Sequence, residues 1–308
     1  SAYRAATGGV SLNFNSVVIR IEPGAKVGSP LRVQLRPDAG HIQVVNGAST
    51  TSRGRERVQV SARIDGDHTK VVVKGQMPVN HRGLAVRRRI DNPPLFTGTA
   101  ARLFLERAGI NVKGKVRLGK VPGKSKRLAR VWSQSLVQII ADVNKYSNNF
   151  MAEHLVRTMG AEHGKSGDWL GGGPVVSTFL RSKVGLKGFR YVNGSGLFGN
   201  TGFSARDMVS LLRYMQEQPE RPEYQSSLAI NGIDGTLKRR LKGLRPGTVR
   251  AKTGTLDGVV CLSGYLKFAD GSPGIFSILM NDLPGRAWAI YRVQDKMVEA
   301  MTALRPEK

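Results

Sequence analysis

The sequence predicts a mixed α and β (α/β, α+β) protein in two parts: a β-rich region, then helices and an antiparallel sheet packed by a last helix. Two observations carry this. Up to about residue 95 the apolar residues recur at every second position, as in Val17-Val18-Ile19-Arg20-Ile21, Val58 to Ile64 and Val71 to Val73, between clusters of Gly, Pro, Asp and Asn. That is the pattern of short strands with one buried face, and antiparallel pairing is expected. From Pro93 onward the period lengthens to that of helices.

Thr99 to Ala108 reads as a helix stopped by Gly109. Ser135 to Val143 and Phe150 to Met159 read as two more, the second running on to a Gly-rich break at Gly171 to Gly173. Ser204 with Asp207 three residues on is a capping pair for a helix over Ala205 to Gln216. Strands are expected at Thr248 to Thr253, Val259 to Phe268 and Ile275 to Asn281, and an amphipathic helix at Trp288 to Leu304. The change of period places the domain division at 92/93: a β-rich part over 1–92 and a second domain over 93–308.

The length, 308 residues, suits about two domains of roughly 100 to 200 residues each. Forty-eight Lys and Arg against 22 Asp and Glu leave a net charge of +26. Such a surplus attracts anions, whether nucleic acid, anionic lipid or acidic cell-wall polymer, and equally fits a solvated surface. Its densest clusters, Arg87 to Arg89, Lys113 to Lys126 and Lys238 to Lys242, are poor in aromatic residues, so no specific nucleic acid partner is expected. No run reaches the roughly 18 apolar residues of a membrane-spanning helix. Cys261 stands alone, which excludes a disulfide framework and a Cys-rich zinc site. Ala-Glu-His occurs at Ala152 to His154 and again at Ala161 to His163. Nine residues at about 100° each set those two histidines on opposite sides of a helix, so no metal site is expected.

Two short strings carry chemistry: Ser147-Asn148-Asn149 at a helix junction, and Lys252-Thr253-Gly254-Thr255 on a strand. A hydroxyl beside an amide can relay a proton to a leaving amine while the amide holds a peptide carbonyl. A strand lysine raises the local potential for a substrate carboxylate, a glycine admits the substrate, and a Thr hydroxyl and backbone N–H complete the grip. Serine acyl-transfer enzymes of the penicillin-binding and β-lactamase kind use S-x-x-K, then S-x-N or S-D-N, then K-T-G. Each residue also has a plainer reading: Ser147 as a helix cap, Lys252 as a solvated strand residue, Ser195 as a turn residue between two glycines, and Cys261 as a small buried hydrophobe.

In this setting the chain resembles the D-alanyl-D-alanine carboxypeptidases/endopeptidases of the penicillin-binding protein 4 type. Nearly the whole chain takes part, through Ser11-Leu12-Asn13-Phe14-Asn15, Asp91-Asn92-Pro93, Ser147-x-Asn149-x-x-Ala152-Glu153, Asn193-Gly194-Ser195-Gly196-Leu197, Gly232-x-Asp234-Gly235-Thr236-Leu237 and Lys252-Thr253-Gly254-Thr255-Leu256. The resemblance implies a penicillin-recognising, transpeptidase-like domain over 93–308, with the β-rich part over 1–92 inserted in it. It implies that Ser147, Asn149 and Lys252 are catalytic, and that Thr253, Gly254, Thr255 and Ser195 bind substrate, with the Thr255 N–H as half of an oxyanion hole. The partners it implies are peptidoglycan stem peptides and β-lactam inhibitors, the compartment is the periplasm or cell envelope, and no cofactor is implied. Two departures stand out: Asn193 where the family usually has Asp, and Phe198 where it usually has Ser.

A larger departure is that no Ser stands three residues before any lysine, so S-x-x-K is missing. The family's nucleophile precedes the Ser-Leu-Asn-Phe-Asn segment, which here begins at residue 11, so the sequence is expected to start downstream of it. Three explanations stand open: a cleaved N-terminal fragment that stays bound and carries the serine, a longer chain of which this is part, or a pseudoenzyme that binds peptidoglycan or a polyanion without acylation. A β-lactamase reading has no deacylating carboxylate motif to support it.

Overall fold

The computed structural model describes residues 6–66, 68–283 and 287–305, and the chain packs as two compact units, Ser1–Ala129 and Arg130–Lys308. The first unit holds β1 (Ser16–Glu22), β2 (Arg32–Arg36), β3 (Ile42–Thr51), β4 (Arg57–Asp65), β5 (His68–Pro78), β6 (Leu84–Arg89) and α1 (Pro93–Arg107). They form two three-stranded sheets, ordered β2-β1-β6 and β3-β5-β4. The alternation read from the sequence shows in the core, where Val17, Ile19, Ile21, Val71 and Val73 are fully buried. One expectation fails: β3 pairs with β5 in parallel, from Ile42↔Thr69 to Thr51↔Pro78. β4 and β5 pair antiparallel across the turn at Gly66, whose φ is +57°. That leaves the far edge of β5 to β3, which runs the same way. Alternation records which face is buried and carries no strand direction.

α1 starts at Pro93, six residues before its expected start, because Asn92 Oδ1 accepts from the Leu95 N–H at 3.3 Å and Pro93 takes the first turn. Its Phe96 and Ala100 are buried in the same core as the strands. The packing therefore divides at 129/130, whereas the period changes at 92/93; α1 is the helix between these two positions.

The second unit contains α2 (Leu136–Tyr146), α3 (Asn149–His163), α4 (Trp169–Ser182), α5 (Ala205–Gln216) and α6 (Arg221–Ser227), then β7 (Ala229–Ile230), β8 (Val249–Leu256), β9 (Val259–Lys267), β10 (Pro273–Met280) and α7 (Ala287–Thr302). The four strands form one antiparallel sheet ordered β10-β9-β8-β7. Val249, Ala251, Leu262, Leu266, Phe276 and Ile278 of the sheet pack with Val298 of α7. The capping box of Ser204 and Asp207 opens α5 as expected. The expected break at Gly171 to Gly173 does not occur: α3 ends at His163, and the three glycines lie buried inside α4. A Cβ on Gly172 would sit 2.1 Å from the Val156 carbonyl oxygen, and one on Gly171 would sit 1.9 Å from that of Ser166. These glycines let two backbones touch rather than end a helix.

Candidate active site

Only Ser147 and Asn148 separate α2 from α3, so the chain must turn sharply there. Ser147 makes the turn in the left-handed region, at φ 55° and ψ 50°, a conformation that costs a non-glycine residue about 1–2 kcal/mol. The helix cap is Asn148, whose Oδ1 accepts from the Met151 N–H at 3.1 Å. Ser147 is thus not the cap of α3. Its Oγ instead accepts from Lys252 Nζ at 2.8 Å.

Lys252 is placed by β8. Its neighbour Ala251 is buried in the sheet core, and Lys252 itself pairs in register with Ser263 of β9. The ammonium also donates to the Thr253 carbonyl at 2.6 Å. Lys252 is half-buried, and burial pushes its pKa down to about 8, so it is no solvated strand residue. Thr253 Oγ1 donates to Thr236 Oγ1 at 2.9 Å, and the Thr255 hydroxyl lies 2.9 Å from that of Tyr291.

The facing wall is the loop Asn193 to Phe198. Asn193 is buried, its Oδ1 accepts from the Gly196 N–H at 2.7 Å and from Ser195 Oγ at 3.2 Å, and its Nδ2 donates to the Phe198 carbonyl. An Asp would lack that last donor, which gives the departure at this position a physical content. Ser195 Oγ also accepts from the Leu197 N–H at 3.3 Å, so its hydroxyl serves the turn while the residue lines the cleft. The loop lies against α3: a Cβ on Gly194 would come within 2.4 Å of the Ala152 carbonyl oxygen.

Ser147, Asn149, Ser195, Lys252, Thr253, Gly254 and Thr255 all line one cleft of about 330 Å3. Among the described residues Lys252 is the only charged one that lines it, and no described carboxylate does. Cys261 departs from its expected burial. It pairs with Gly254 across β8 and β9, where the missing side chain leaves the thiol half-buried at the cleft, and burial pushes its pKa up.

Sequence reasoning missed the groups that hold these side chains. Glu153 is buried on α3, where Oε1 accepts from the Ser195 N–H at 2.8 Å and Oε2 accepts from Trp169 Nε1 at 2.7 Å. Lys145, two residues before Ser147, donates to Asp234 at 2.7 Å and to the Leu228 carbonyl at 3.0 Å. Asp234 Oδ1 in turn accepts from the Ile230 N–H at 3.0 Å, so the end of α2 is tied to the segment that carries Thr236. Glu153 and Asp234 lie inside strings that carried the resemblance, which was their one signal; Lys145 had none.

A family profile described as the D-Ala-D-Ala carboxypeptidase 3 (S13) family matches residues 1–304. A D-alanyl-D-alanine carboxypeptidase of Actinomadura sp. (strain R39) is 33% identical over 279 residues, 87% of this chain and 51% of that protein. The D-alanyl-D-alanine carboxypeptidase DacB of Haemophilus influenzae is 26% identical over 220 residues, 70% of this chain and 46% of that protein. The chain thus spans about half the length of these relatives. A crystal structure of penicillin binding protein 4 (dacB) from Haemophilus influenzae superposes with a TM-score of 0.81 at 20% identity, covering 98% of this chain and 69% of that one. That likeness shows the fold.

Proposed function

The chain belongs to the D-Ala-D-Ala carboxypeptidase 3 (S13) family, and from that premise we propose that it serves a serine-type D-Ala-D-Ala carboxypeptidase/endopeptidase, cutting peptidoglycan stem peptides by acyl-enzyme chemistry and acylated by β-lactams. The observation that carries this reading is the 2.8 Å bond from Lys252 Nζ to Ser147 Oγ, made across 105 residues of sequence at the one charge that the described residues bring to the cleft.

The substrate's terminal carboxylate is drawn to the Lys252 ammonium and the Thr253 hydroxyl, and the Asn149 amide donates to a peptide carbonyl. Gly254 lets the substrate backbone approach, Ser195 forms the opposite wall, and the Thr255 N–H faces the developing oxyanion. Attack by a serine oxygen, whose proton passes to the lysine one helical turn after it, forms a C–O bond at the carbonyl carbon of the penultimate residue and breaks the C–N bond. The departing amine takes a proton from Ser147 Oγ, which Lys252, with a pKa near 8, replaces. Water then cleaves the ester and restores the serine.

No Ser precedes a lysine by three residues in the 308-residue sequence, so the attacking serine and its lysine are proposed to come from a segment outside it. A cleaved fragment that stays bound is the favoured source, and mass spectrometry of the purified protein would find it as a co-purifying peptide. The β-rich strands of 1–92 are proposed to be an insertion in a penicillin-recognising domain, and the periplasm or cell envelope is the proposed site of action. Among the described residues no helix is long and apolar enough to cross a membrane.

The test is covalent labelling of the protein, as isolated, by a fluorescent penicillin. Ser147→Ala and Lys252→Ala are each expected to slow labelling about 10²- to 10⁴-fold; undiminished labelling would count against the mechanism. The missing S-x-x-K favours one second reading, an inactive protein that binds stem peptides or polyanions, for which no labelling occurs while a stem peptide still binds saturably.

A further inference from the structure

Between α1 and Ala129 the first unit carries a segment that the cleft does not use. It begins with a helix end built to present apolar groups. The Gly109 N–H bonds the Glu106 carbonyl at 3.0 Å and the Ile110 N–H bonds that of Leu105 at 2.9 Å, with Gly109 at φ +82°. This is a Schellman ending, which sets Ile110 beside Leu105. Both are exposed, as is Phe104.

From there to Leu128 the chain forms neither helix nor strand. Its front is anchored on α1: Arg102 Nη1 donates to the Gly114 carbonyl at 2.8 Å, and Val116 packs against the bare backbone of Gly98. Beyond Val116 it stands out into solvent, with Leu118 62%, Val121 82% and Leu128 93% exposed. Seven Lys and Arg lie between Lys113 and Arg127, with no Asp or Glu among them. Among the described residues none of the seven is within 4.0 Å of a carboxylate; nearby Glu106 is engaged by Arg102, and Asp38 by Arg107.

We propose that the segment from Phe104 to Leu128 is a docking surface for an anionic lipid bilayer. Two features have to be met by one partner. Unneutralised cations call for a surface of dense negative charge, and a cluster of this size matches what juxtamembrane polybasic segments present to anionic headgroups. The exposed aliphatic and aromatic groups call for an apolar layer just beneath that charge, which a bilayer interface supplies and a hydrated polyanion lacks. Gly114, Gly119 and Gly123 leave the backbone free to turn its apolar groups toward such a surface. The proposal stands apart from the acyl-transfer reading, because it uses no residue of the cleft.

The experiment is co-sedimentation of the whole protein with sucrose-loaded vesicles of phosphatidylglycerol mixed with phosphatidylcholine, against phosphatidylcholine alone. Binding to the anionic vesicles is expected to be at least about tenfold tighter and to weaken as salt is raised. Replacing the seven cations of 113–127 with Gln should remove that preference; binding as tight as the parent's would overturn the proposal. The triple variant Leu118→Ser, Val121→Ser, Leu128→Ser should weaken binding to anionic vesicles several-fold while leaving binding to long-chain polyphosphate unchanged. If it weakens neither, the surface is a polyanion site and the lipid assignment is wrong. Arg87→Gln with Arg89→Gln, outside the segment, should change vesicle binding little; a loss equal to that of the seven-site variant would overturn the localisation to this segment.

Discussion

On the β8 side of the cleft, Lys252 lies within a strand whose Val249 and Ala251 are wholly buried in one core with Leu262 and Leu266 of β9. On the α3 side, Ser195 rides on a loop held by buried polar groups, Glu153 and Asn193, through bonds to single N–H and C=O groups. The first wall gets its position from packing, which spreads over many weak contacts and tolerates small changes of shape. The second gets it from a few directional bonds, each of which fails at a single atom. The proposed catalytic pair joins the two styles: Lys252 comes from the packed strand, and Ser147 from a strained two-residue junction whose neighbour Lys145 is tied by polar bonds to Asp234.

The sharpest way to break the packed wall is Leu262→Ala. Leu262 has no solvent exposure, so the deletion should leave a cavity and lower stability by about 2–5 kcal/mol in urea unfolding. The loop wall should respond to Glu153→Leu, which strands the Ser195 N–H and the Trp169 indole N–H without their acceptor. The expected loss is about 1–3 kcal/mol for each group that stays buried and unpaired. If this variant were as stable as the parent while Leu262→Ala fell as expected, the contrast between the walls would be wrong.

How these walls divide explains what could be read in the chain. The alternation around Val17 to Ile21, the capping box at Ser204 and the helical period of α2 are local patterns, and each produced its element. The two chemical strings, each weak alone, were legible through their order along the chain and their setting on a helix junction and a strand, and all seven residues line one cleft. The parallel pairing of β3 and β5, the contact glycines of α4 and the place of α1 in the first core were not legible. Each depends on what a residue meets across space. The same holds for Glu153 and for the Lys145–Asp234 pair, separated by 89 residues in sequence: a buried carboxylate and an ordinary surface one look alike in a sequence.

The lysine itself gives a test on the pH axis. Burial holds its folded pKa near 8, below the usual lysine value of 10.5, so the unfolded chain binds more protons between these limits. Stability therefore rises with pH through that window, and the penalty for charging Lys252 is fully present below about pH 8. Subtracting the urea-unfolding curve of Lys252→Met removes the titration of all other groups. The difference should be flat below pH 8 and climb toward pH 10.5; a flat line throughout would mean that the ammonium is solvated.

The smallest effect is expected where neither style of support is at stake. Thr253 Oγ1 bonds Thr236 Oγ1 at 2.9 Å, and this contact is exposed. Water can replace either hydroxyl, so Thr236→Val should cost no more than about 0.5–1.5 kcal/mol of stability, at the lower end of that range. Its worth to the cleft is separable by a double-mutant cycle with Thr253→Val, read in the rate of penicillin labelling. If the bond only steadies the edge of β8, the coupling energy should be under about 1 kcal/mol, and Thr253→Val alone should account for most of the loss. A coupling several times larger would mean that Thr236 orients the Thr253 hydroxyl toward the substrate carboxylate, and that the packed wall, too, depends on a directional bond at its working end.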